Sequence, residues 1–172
     1  MNTSIVLTVI AEDRPGIIQL VSNTLASHGG NWTRSSMSSL AGQFAGILET
    51  SVPEETSKDC LESLRALESE GLHIVAHLSS EVASEVETQA FQLDLVGNDR
   101  PGIIHEITSL LVKHHVNVND FETLVESASM GGADIFRVKA TLMVPVSTDI
   151  DTLANDIENI ANDLMVDILF EK

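Results

Sequence analysis

The hexapeptide Asp13-Arg14-Pro15-Gly16-Ile17-Ile18 recurs unchanged as Asp99-Arg100-Pro101-Gly102-Ile103-Ile104, 86 residues further along the chain. Six successive identities do not arise by chance in a sequence of this length. The same offset maps Leu7 onto Leu93, Leu25 onto Leu111 and Asn31 onto Asn117; beyond that it grows to 92, aligning Phe44 with Phe136 and Val52-Pro53 with Val144-Pro145. The second copy therefore carries a six-residue insertion, placed near Gly131-Gly132 and expected in a hairpin loop. A chain of 172 residues that repeats itself in this way is two homologous domains rather than one larger core. Their expected bounds are 1–80 and 89–172, with a Ser- and Glu-rich linker over 81–88.

Each copy reads through the same elements. Ile5, Leu7 and Val9, and likewise Phe91, Leu93 and Leu95, alternate as in a strand with one face on a core; Gln92 and Asp94 take the other face. Ile17, Val21 and Leu25, and Ile103, Ile107 and Leu111, follow helical spacing. Proline suits a first helical turn, so these helices are expected to begin near Pro15 and Pro101, and Gly29-Gly30 to end the first. Paired strands follow at 31–40 with 43–52 and at 117–127 with 134–144. A second helix then carries Leu61, Leu64 and Leu67, or Leu153, Ile157, Ile160 and Leu164, before a last strand at 72–79 or 166–171. The order is βαββαβ, twice. The expected fold class is α+β: two tandem ferredoxin-like domains, each a four-stranded antiparallel sheet with two helices on one face. Modules of about 80 residues bury little core, so the open sheet faces or edges are expected to be covered in a homodimer or larger assembly.

Charge narrows the function classes. The net charge is −17, with four Lys/Arg against eleven Asp/Glu through residue 86 and five against fifteen beyond it. Such a surplus of carboxylates repels a phosphate backbone and an anionic membrane surface alike. No apolar run approaches the roughly 20 residues of a membrane span, and the N-terminus lacks the basic start of a signal peptide. A single cysteine, Cys60, excludes intrachain disulfides and reads as a small core residue in a cytosolic chain.

The repeated turn is the main candidate for ligand binding. A strand followed by Asp-Arg-Pro-Gly-Ile and a helix leaves backbone N–H groups free at the helix start, and the glycine lets a small carboxylate approach the main chain. The same residues also make an ordinary strand-to-helix turn; their retention in both copies favours use. Two roles fit Asp13 and Asp99, holding a ligand's amino group or capping the helix. Arg14 and Arg100 suit the solvated surface. Asn31 and Asn117, where the first helix hands over to the second strand, cap the helix or meet a ligand's polar end. Trp32, the sole tryptophan, suits burial at a sheet or dimer surface. Of the six histidines, only His73 and His77 are four apart, and in a strand that spacing is about 13 Å; His28, His105, His114 and His115 show no ligand spacing either, so no metal or other cofactor is expected. Neither a nucleophile elbow nor a Walker loop is present, and no catalytic residue is assigned.

Asp-Arg-Pro-Gly-Ile between strand and helix resembles the ACT domain family, once per half and over nearly the whole chain. Asn31-Trp32, Met37 and Leu40-Ala41-Gly42-Gln43-Phe44-Ala45-Gly46-Ile47-Leu48 resemble short tandem members of that family in particular. The resemblance implies a cytosolic, non-catalytic regulator that senses glycine or a similar amino acid. Asp13, Arg14, Pro15, Gly16, Ile17 and Asn31, with Asp99, Arg100, Pro101, Gly102, Ile103 and Asn117, are its expected ligand-binding residues. It further implies action through contact with a DNA-bound activator; a free-standing regulatory subunit of an amino-acid enzyme is the alternative.

Overall fold

The computed structural model describes residues 1–79, 86–127 and 133–172. Most of the expected linker and the Gly131-Gly132 insertion lie outside the described residues. The chain divides into two compact units, Met1–Val82 and Ala83–Lys172.

In the first unit β1 (Asn2–Glu12), α1 (Ile17–Ser27), β2 (Asn31–Leu40), β3 (Gln43–Pro53), α2 (Ser57–Ala66) and β4 (His73–Leu78) follow in order. The sheet runs β2-β3-β1-β4, antiparallel throughout. Ile5, Leu7 and Val9 of β1, Ile17, Val21 and Leu25 of α1, and Cys60 and Leu64 of α2 close one core. Both helices thus cover the same sheet face, as the strand alternation requires. Cys60 is fully buried, and burial pushes its thiol up. The outward face carries Ile10, Ile47 and Val75.

The second unit repeats this with β5 (Thr88–Asn98), α3 (Ile103–Lys113), β6 (Asn117–Glu126), β7 (Ile135–Pro145), α4 (Ile150–Leu164) and β8 (Val166–Glu171), in the sheet order β6-β7-β5-β8. Its core gathers Leu93, Leu95, Ile103, Ile107, Leu142, Leu153 and Ile157. The strand registers follow the sequence offsets: Leu7 faces Leu48 as Leu93 faces Ala140, and a bulge between Trp32 and Arg34 returns between Val118 and Asp120. β2 and β3 are joined by Ala41-Gly42, whereas β6 ends at Glu126 and β7 starts at Ile135, so the extra residues do fall in that hairpin. The outward face differs from that of the first unit: Asp94, Glu122, Arg137 and Lys139 stand there, with Leu124 and Leu169. No described helix is long and apolar enough to cross a membrane.

The first helix of each unit ends alike, with different residues. Gly30 N–H donates to the Leu25 carbonyl and Gly29 N–H to that of Ala26, with Gly29 left-handed at φ 71°, which is a Schellman ending. Val116 N–H likewise donates to Leu111, but the left-handed position is His115, at φ 55°. A side chain there costs roughly 1–2 kcal/mol relative to glycine. His115→Gly is therefore expected to raise stability, by about 1 kcal/mol after the added unfolded-state entropy of glycine is set against the relief. A urea midpoint that fails to rise in this variant would show that His115 has compensating contacts.

Candidate functional site

The strand-to-helix turn differs from the expected one in its backbone. Proline does not open the helix: Gly16 and Gly102 are the N-cap residues and α1 and α3 start at Ile17 and Ile103. Both glycines are left-handed, at φ 98° and 101°, with nothing within 4 Å of where a Cβ would stand. They are required by conformation, not by crowding. A valine at either position would strain the backbone, so it would confound any binding test with a loss of stability. The carbonyls of Gly16 and Gly102 accept from the N–H groups of Leu20 and Glu106. That leaves the N–H groups of the three residues after each glycine without intrahelical acceptors, and these can receive a carboxylate.

The aspartates do not cap these helices: the N-caps are Gly16 and Gly102, and no helix N–H donates to either aspartate among the described residues. Asp13 instead accepts from Ser39 Oγ at 2.5 Å, its own N–H donating to the Gly42 carbonyl at 2.9 Å. Arg14 is not simply solvated: its guanidinium donates to the Glu70 carbonyl at 2.6 Å. Asp99 N–H donates to the Asp134 carbonyl, but the side chains of Asp99 and Arg100 have no hydrogen-bond or ion-pair partner among the described residues. Asn31 and Asn117 pair with Ser51 and Met143, at the end of each sheet away from the turn. Ser51 lies eight positions along β3 from Gln43 beside the turn, which is roughly 25 Å. Neither asparagine joins its own unit's turn, and neither caps a helix, which the glycine and histidine endings already close.

Around the second turn the surface opens into a cavity of about 590 Å³, lined by Asp99, Arg100, Gly102, His105, Thr108 and Phe136 among others. Its size lies within the roughly 300–1,000 Å³ of small-molecule sites. A neighbouring groove of about 490 Å³ between α3 and α4 shares His105 and ends at Lys113 and Asp156. Asp156 accepts from His114 at 2.8 Å and Lys113 at 3.0 Å, and these bonds, that from His114 first, hold its carboxyl below the usual range. His28 is likewise tied, to the Thr24 carbonyl and Ser63. His28 and His114 thus serve helix ends, and no group of three or more metal-ligating side chains occurs among the described residues. Trp32 is half-buried against the first core, its indole N–H donating to Ser35 Oγ.

Residues 3–77 match the family model described as the ACT domain. The first unit thus matches the ACT domain. The second unit repeats that domain's element order and register, so the fold is a tandem ACT-like pair. Over 148 residues the chain is 24% identical to the glycine cleavage system transcriptional repressor of Escherichia coli, covering 84% of this chain and 77% of that protein. A crystal structure of an unknown protein from Galdieria sulphuraria superposes with a TM-score of 0.88 at 26% identity, over 99% of this chain and 98% of that one. One described as a putative glycine cleavage system transcriptional repressor superposes at 0.67, with 16% identity over 99% and 97%, a likeness of fold. The family expected from the repeated turn is the one that the first unit matches.

Proposed function

We propose that this protein is a cytosolic, non-catalytic regulator that binds a small amino acid at a strand-to-helix turn and passes that signal to another protein. The cavity over the free N–H groups behind Gly102 carries this reading. A ligand carboxylate there would accept charge-assisted hydrogen bonds worth about 1.5–3 kcal/mol each, while the unpartnered Asp99 would hold its ammonium. The net charge of −17 makes direct contact with DNA unfavourable. Distant similarity to a transcriptional repressor then favours contact with a DNA-bound activator, and control of an amino-acid enzyme as a free-standing subunit needs the same sensor. A homodimer would cover the long edge strands β2 and β6, which are exposed over most of their length. Isothermal titration of the full chain with the common amino acids is expected to show saturable binding of at least one; no heat with any of them would reject the sensor.

A further inference from the structure

The two copies of the turn share a sequence but not a state. In the first, Ser39 occupies Asp13 and the Glu70 carbonyl occupies Arg14. In the second, the residue aligned with Ser39 is Val125, which has no hydroxyl to donate. α4 also runs unbroken to Leu164, whereas α2 gives way at Leu67 to the 3-10 turn that offers Glu70 to Arg14. The side chains of Asp99 and Arg100 are thereby left without a partner among the described residues, and beside them stands the cavity. Position 105 changes as well: the first unit has the aligned Gln19 and the second His105, both exposed, with His105 in the cavity lining.

The donors in that cavity outnumber its acceptors. Arg100 and His105 both present N–H groups with no protein acceptor among the described residues, while the Thr108 hydroxyl already donates to the Ile104 carbonyl at 2.7 Å. Asp99 is the one side-chain carboxylate of the lining, and a ligand ammonium would use it. Arg100 and His105 are exposed, so water meets their donors in the open cavity, and a ligand with acceptors beyond its α-carboxylate would take the place of that water. Glycine has none, and its few atoms fill little of about 590 Å³.

We infer that the chain binds one effector, in the second unit only, and that the effector is an amino acid whose side chain carries an acceptor oxygen, a carboxylate or carboxamide, read by His105. This rests on the sensor reading above. The first turn is a structural copy, its Asp13 and Arg14 already engaged by the Ser39 hydroxyl and the Glu70 carbonyl.

The test is calorimetry of the full chain with glutamate, glutamine, aspartate and asparagine against glycine and alanine. One binding event per chain is expected, with at least one of the first four binding tenfold or more tightly than alanine. His105→Leu should erase that preference, and His105→Gln, which keeps an N–H donor, should retain it. Asp99→Asn should weaken every ligand at least tenfold, and Ser39→Ala should change neither affinity nor stoichiometry. Two events per chain, equal affinity for glycine, or an unaltered preference in His105→Leu would overturn the inference and leave the sensor standing. No binding of any amino acid would reject both.

Discussion

Gly97→Ala is expected to destabilise the second unit by about 1–3 kcal/mol, a large loss for a single methyl group. A Cβ on Gly97 would stand 2.3 Å from Val166 Cγ1, 2.9 Å from its Cβ and 3.2 Å from its Cα. Turning the valine side chain removes only the first of these contacts, so the β5–β8 pair itself must part. Gly97 and Val166 are directly paired in register. The aligned Ala11 of the first unit meets no such demand, because β1–β4 pairing stops one position earlier, at Ile10 and His73. Val166→Ala in the Gly97→Ala background should restore part of the loss, since the two changes share one contact and are not additive. Urea midpoints for the two single variants and the double variant measure this; strict additivity would show that the strands relax freely at this point.

Leu7→Ala should cost more, about 2–5 kcal/mol. Leu7 is fully buried at the middle of β1, between Leu48 and Ala76, with strands on both sides and helices above, so the vacated volume cannot collapse. The neighbouring Thr8 points to the exposed face of the same strand, and Thr8→Ala should stay within the ~1 kcal/mol span of strand preference. Equal losses for the two variants would mean that the outward face is covered as fully as the inward one.

Much of this architecture was legible because it rests on periodicity and repetition. The alternation of Ile5, Leu7 and Val9 and the shift of offset from 86 to 92 predict strand faces and hairpins that the structure reproduces. What stayed hidden depends on dihedral angles or on partners distant in the chain. Nothing in Pro15-Gly16 tells a left-handed cap from a first helical turn. The Ser39 to Asp13 bond joins residues 26 apart, and only the folded sheet brings the end of β2 beside the end of β1. The difference between the turns was nonetheless written in the sequence, at Ser39 and Val125, but it carries meaning only after the aspartates are known not to cap.

The shared bulge and matching registers have a consequence for how the chain finds its fold. Two copies with the same pairing rules on one polypeptide are templates for each other, and a strand of one can seek its counterpart's place in the other, the route by which repeated domains misassemble. Distinct core partners oppose this: Leu48 faces Leu7 in one unit where Ala140 faces Leu93 in the other, so an exchanged strand brings the wrong volume to a packed layer. The Gly97 and Val166 contact adds a second check, since Ala11 in the place of Gly97 would drive its methyl group into Val166. Divergence inside otherwise equivalent sheets thus acts as proofreading during folding, rejecting the partner that backbone geometry alone would accept.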